Sequence, residues 1–111
     1  MGAPARTVVL GGAGSSAAFA AAVSLRRHWA DRVRILTMDI YPAHLVAASE
    51  LADVHVVAPL ADAPGFPAFL EATLRDFSAS VYLPIIPQEV CVGATLAASW
   101  RSASSRFSAA A

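Results

Sequence analysis

No lysine occurs in this chain: all eight basic residues are arginine. That excludes Schiff-base chemistry and a phosphate-binding P-loop lysine. Cysteine is nearly missing too. Cys91 stands alone, which rules out an internal disulfide and any multi-cysteine metal site. A reducing, cytoplasmic setting is the expectation. Net charge is zero, eight acidic residues balancing the eight basic ones. A neutral chain carries no electrostatic footprint for nucleic acid. Apolar runs fall short of the roughly 18 residues of a membrane helix, so no membrane partner is expected. The glycines at 11–14 interrupt any signal-peptide core. His28, His44 and His55 lack ligand spacing, so no metal site is expected. A Gly-x-Ser-x-Gly elbow is absent, and no Ser/His/Asp arrangement stands out.

What is present points to one domain. The chain has 111 residues, enough for one core and too few for a two-domain enzyme. Its 26 alanines, with arginine as the sole strong base, reflect GC-rich, bacterial-type coding rather than a function.

Strand-like and helix-like segments alternate. Residues 7–10, 33–38, 54–58 and 81–86 are apolar, β-prone runs. Pro84 inside the last run predicts an edge or a strand end near residue 83. Helices are predicted over 15–30, 43–51, 67–77 and 88–100. In the first, Ala18, Ala22, Leu25 and Trp29 share one stripe, with Arg26, Arg27 and His28 in the last turn. Leu70, Leu74 and Phe77, with Phe66, form the inner face of the third, and Pro67 suits its first position. Four β-α units in alternation predict an α/β, Rossmann-like three-layer sandwich with a four-stranded parallel sheet. That domain spans 1–98. Residues 99–111 form a Ser/Ala-rich tail, expected to be disordered or non-native.

The first turn carries the clearest motif. Thr7-Val8-Val9-Leu10 enters Gly11-Gly12-Ala13-Gly14-Ser15-Ser16-Ala17, which reads Gly12-x-Gly14-x-x-Ala17. Gly12 permits the tight turn, Gly14 permits close approach, and Ala17 lets the helix lie near the strand. Ligands of such sheets sit beyond the carboxyl ends of the strands. Here that edge carries 11–16, 39–42, 59–62 and 87–89.

Several side chains on that edge are candidates. Asp39, 25 residues after Gly14, stands where NAD-binding domains hold a ribose hydroxyl; it equally suits a strand-end cap. Glu89 can hold a substrate amine or guide a proton, or simply favour a helix dipole. Ser15 and Ser16 can donate to an anion or cap the helix. Cys91 between Val90 and Val92 reads as a buried, inert thiol, and Trp29 and Trp100 as packing residues.

Four pieces in order resemble the N-terminal, pre-ATP-grasp domain of ATP-grasp ligases, especially the carbamoyl-phosphate-synthase-like group. They are Val8-Val9-Leu10-Gly11-Gly12-Ala13-Gly14; Thr37-Met38-Asp39-Ile40-Tyr41-Pro42; Ala48-Ser49-Glu50-Leu51-Ala52-Asp53 leading into Val54-His55-Val56-Val57-Ala58-Pro59; and Val81-Tyr82-Leu83-Pro84-Ile85-Ile86-Pro87-Gln88-Glu89. The match spans roughly residues 6–98. The resemblance implies a substrate-side domain of a carboxylate–amine ligase, not catalytic alone. It makes Gly12, Gly14, Ser15, Gln88 and Glu89 the residues that border substrate. Glu89 matches an acid that contacts a substrate amino group, and Gln88 departs from the acid-rich form of the motif. ATP and magnesium belong to a separate catalytic domain, the missing partner, and this chain itself holds no cofactor. The alternative is a free-standing NAD(P)- or nucleotide-binding Rossmann module using Gly12, Gly14 and Asp39. In either case a small-molecule substrate is the ligand. Apolar surface left uncovered predicts a homo-oligomer.

Overall fold

Val8, Val9 and Leu10 are β-prone and apolar on both sides, which suits a strand buried in the middle of a sheet. The computed structural model describes residues 6–103 and 108–109. Its strands are β1 (Arg6–Leu10), β2 (Val33–Asp39), β3 (Val54–Val57) and β4 (Val81–Leu83). All four run parallel in the order β3-β2-β1-β4. A two-residue β5 (Ser108–Ala109) pairs parallel with β4. The helices are α1 (Ser16–Trp29), α2 (Phe66–Asp76) and α3 (Pro87–Ala103). The expected α/β, Rossmann-like sandwich is thus the observed fold.

Alternation along the strands divides the core in two. Val8, Leu10, Val33 and Ile35 face α1, meeting Ala18 and Ala22. Val9, Leu36, Met38 and Tyr82 face the other way, meeting Phe66, Leu70 and Leu74 of α2 and Ala97 of α3. The chain steps outward from β1 to β3 and then returns to the far side of β1. Connections after β1 and β4 therefore diverge, and a crevice opens at the carboxyl edge between them.

Several expectations need correction. Residues 43–51 do not form one helix. They form two 3-10 segments, Ala43–Leu45 and Ala47–Leu51. Val46 separates them in extended backbone because its side chain is buried in the core. The strand end expected near residue 83 is observed: β4 stops at Leu83, ahead of Pro84, which lacks an N–H, so the run 81–86 is strand only over its first three residues. Ala17 faces solvent. With the helix starting at Ser16, Ala18 and Ala22 make the close approach instead. Trp29 is 49% exposed, so it is not a core residue. The inner position of that last turn goes to Arg26, whose guanidinium binds the Ala30, Val33 and Leu51 carbonyls. Cys91 is exposed rather than buried. The buried face of α3 runs through Glu89, Gly93 and Ala97 at four-residue spacing, and Cys91 lies opposite.

The expected boundary at 98 falls within α3, which continues to Ala103. Residues 104–107 and 110–111, in the stretch expected to be tail, lie outside the described residues, as does the Trp100 side chain. Among the described residues no helix is long and apolar enough to cross a membrane.

Candidate functional site

The glycine turn begins where β1 ends. Gly12 adopts φ +55, a left-handed conformation that favours glycine. Each backbone N–H from Gly11 to Ser15 has a partner within the protein. Gly11 donates to the Leu83 carbonyl at 3.1 Å, Ala13 to Met38 at 3.1 Å, and Ser15 to Gly12 at 3.1 Å. Gly12 donates to the Glu89 carboxyl. Gly14 donates to Asp39 Oδ2 at 2.8 Å. Ser15 Oγ accepts from Ala18 N at 3.1 Å and so caps α1. A phosphate-binding turn needs backbone N–H groups pointed at the ligand. Here those donors are already engaged.

Glu89 closes the floor beneath this turn. It lies in the first turn of α3 and is 4% exposed. The Tyr82 hydroxyl donates to its Oε1. Burial pushes the Glu89 carboxyl above the usual carboxylate range. Hydrogen bonds from Tyr82 and Gly12 oppose that rise, and the Asp39 charge adds to it. Burial, together with the charge and hydrogen bond of Glu89, also pushes the Tyr82 phenol upward. Space for the pair comes from two glycines. A Cβ on Gly11 would collide with the Glu89 carboxyl and stand 3.1 Å from the Tyr82 ring. One on Gly93 would stand 3.1 Å from the opposite ring edge.

Asp39 braces the rim. Its second oxygen accepts from Tyr41 N at 3.0 Å. The Tyr41 carbonyl lies 2.9 Å from His55 Nε2 and must accept from it. In the neutral ring Nδ1 then accepts from the Thr37 hydroxyl, 2.8 Å away. The resulting crevice has a volume of about 220 Å³. Gly12, Asp39 and Glu89 line it. Met38, Ile40, Tyr41, Leu60, Phe66 and Ile86 supply apolar walls, and none of the described lining residues is basic. A buried carboxyl beside an apolar crevice can accept a cation or hold a proton.

Gly12, Ser15, Asp39 and Glu89 are therefore brought together at one crevice. Gly14 is exposed, and its close neighbour is Asp39. Gln88 is exposed and outside the lining. Asp53, singled out in the third motif, sits well away and ties elements together. It accepts from Ile35 N at 2.8 Å and pairs with Arg26 at 2.6 Å. Burial acts to raise the Asp53 carboxyl, but the Ile35 N–H and the Arg26 and Arg34 charges outweigh it and hold it below the usual range.

Gly11 and Tyr82 were missed as site residues. A polar-tipped aromatic inside the apolar run 81–86, seven residues before an acid, was the available signal for Tyr82. Nothing in the sequence marks Gly11 apart from the glycine that follows it. Neither a comparison with protein-family models nor one with curated proteins finds a match for this chain.

Proposed function

We propose that this chain is the substrate-side domain of an ATP-grasp carboxylate–amine ligase, bordering the acceptor pocket without catalysing the reaction alone. The observation that carries the reading is Glu89. The resemblance makes it the acid at the substrate, and it lies buried in the lining of a crevice beside the glycine turn. Asp39 and the 59–61 segment converge on the same crevice, as the ordered motifs require. Gly12 and Ser15 border the pocket, while Gly14 contributes by holding Asp39.

ATP and magnesium belong to the partner lobe. No lysine exists in this chain, and no described arginine lines the crevice to hold a triphosphate. The dinucleotide alternative gains nothing from this geometry. The Gly11–Ser15 backbone donors that would meet a pyrophosphate have protein partners. Exposed Ile40, Tyr41, Leu45, Val57 and Leu60 cluster around the carboxyl edge of β2 and β3. That surface suits a covering lobe, and in the isolated chain it favours self-association.

The test is the coding DNA beyond codon 98, read together with calorimetry. A continuing frame, or an adjacent one, that encodes a lysine-bearing ATP-grasp lobe is expected. The isolated chain should bind neither ATP nor NAD saturably. A frame closing at codon 111 with no such lobe nearby, or saturable NAD binding, overturns the reading.

A further inference from the structure

We propose that β3 is a self-complementary edge. A second copy of this chain pairs with it, antiparallel about a two-fold axis at Val56, to make one continuous sheet. The inference does not rest on the ligase reading; it names the surface through which the chain self-associates. β3 ends the sheet on one side, whereas β5 lies against β4 on the other. Every residue of β3 is at least partly exposed, Val57 to 55%, while β1 is buried from Thr7 to Leu10. An open edge is a template for another strand. Natural edges are defended by proline or by charge, lysine above all. Val54-His55-Val56-Val57 carries no proline, no acid, no lysine and no arginine. Zero net charge removes the general repulsion between copies.

The ladder to β2 decides which backbone groups are free. Ala58 N donates to the Asp39 carbonyl at 2.8 Å, and the Val54 carbonyl is turned toward the Thr37 hydroxyl. Alternation along the strand then commits Val54, Val56 and Ala58 to β2 and turns the N–H and C=O of His55 and Val57 outward. With Val56 on the axis, His55 of one copy lies opposite Val57 of the other. Such a pair exchanges both of its N–H···O bonds, and the symmetry repeats it. Every outward group thereby finds a partner. With His55 on the axis, Val57 would instead face Asp53, whose N–H is committed to the Ile35 carbonyl at 2.8 Å. The ladder closes where Asp53 meets Pro59, which has no N–H to give. Side chains fit the same register. Val54 and Val56 extend the core face of α2 across both copies. Exposed Val57 is covered by an imidazole that Thr37 and the Tyr41 carbonyl hold in place. Apolar groups meet across the axis and no like charges do, which is why the occupant is a second copy rather than a foreign strand.

The experiment is sedimentation of the full chain across a wide concentration range, with amide exchange measured at both ends of it. A concentration-dependent dimer is expected, because a two-fold contact closes on itself. His55 and Val57 amides should exchange at least about tenfold more slowly in the dimer. Val54 and Val56 amides, already bonded to β2, should show no such change. Val57→Pro removes an outward N–H from each copy and should weaken dimerisation at least about tenfold. Leu60→Ser cuts the exposed apolar rim away from the strand and should leave dimerisation unchanged. If Val57→Pro loses its dispersed spectrum, the exchange pattern of the unaltered chain decides. A monomer at every concentration overturns the proposal, even where an added valine–threonine peptide protects the edge. So does an open series of larger assemblies, or a dimer whose His55 and Val57 amides exchange as in the monomer. Association lost in Leu60→Ser but kept in Val57→Pro overturns it too, and assigns the contact to the apolar rim. A coding frame without a ligase lobe would defeat the ligase reading alone and leave these readouts standing.

Discussion

Gly11 and the Glu89 carboxyl occupy the same space in alternative sequences: a Cβ on residue 11 would stand on Oε1. Gly11→Ala must therefore displace a buried acid or the strand end. Overpacking of this kind costs about 1–3 kcal/mol. Thermal unfolding should show a fall of about 4–8 °C per kcal/mol. Gly65→Ala is the control, because nothing lies within 4 Å of its added Cβ. Equal melting temperatures for the two variants would refute the contact.

Glu89 makes stability depend on pH in a definite direction. Its folded carboxyl is raised above the ordinary value of 4.5. The native state then binds more protons than the unfolded one over the interval between the two values. Stability from this group is fully present below pH 4.5 and is lost as pH rises through the folded value. Glu89→Gln cannot ionise. Its stability relative to the unaltered protein should increase from pH 4 upward, read from urea midpoints at several pH values. The groups facing Glu89 are Tyr82 on β4 and Asp39 on β2, and neither supplies a compensating cation. A difference between the two proteins that is flat with pH would contradict this account.

Asp39 holds two backbone groups at once. Asp39→Ala leaves Gly14 N and Tyr41 N without their acceptor. A lost hydrogen bond to a charged group costs about 1.5–3 kcal/mol, less where water replaces it. Hydrogen exchange at Gly14 and Tyr41 should accelerate by about tenfold or more. Protection at Val9 and Leu36 in the core should fall only as global stability does. Unchanged exchange at Gly14 would show that the carboxyl does not brace the turn.

Much of this could be read in the sequence, for a physical reason. Strand runs and the glycine turn are local signals, and so β1 to β4 and the Gly12 conformation followed from residue type. Gly12, Ser15, Asp39 and Glu89 meet at one crevice because a parallel sheet brings its strand ends to one edge, while Gly14 and Gln88 stay outside its lining. The failures share a different cause. Val46, Cys91 and Trp29 depended on which face of a segment the tertiary structure would bury. Short apolar periodicities do not determine that. Gly11 and Tyr82 depended on an exact contact between β1, β4 and α3, which no local pattern encodes. The role of Asp39 turned on hydrogen-bond partners rather than position. The same place at the end of β2 serves a ribose in other sheets and a backbone brace here.

Asp53 gives the opposite pH signature to Glu89. Its folded carboxyl lies below the ordinary 3.8, so its contribution is present above that value and is lost as pH falls through the lower folded one. Asp53→Asn should be less stable than the unaltered protein at neutral pH. The pair is partly exposed, with side chains 25% and 45% accessible. Screening therefore keeps the difference to about 1 kcal/mol or less. Denaturant midpoints should differ between the proteins at pH 7, and the gap should narrow as pH falls below 3.8. A gap that persists in acid would assign the effect to shape rather than charge.

The ring of Tyr82 also constrains how this sequence can change. It is bounded on one edge by Gly11 and on the other by Gly93, two residues on separate elements. A side chain at Gly11 collides with the Glu89 carboxyl and crowds the ring, one at Gly93 makes the ring give by a few tenths of an ångström, and removing the ring alone leaves a void between them. Substitution at any one of these positions therefore alters what the other two tolerate. In drift or in a designed library, the three should vary as one unit, with Glu89 released from its partner whenever that unit changes.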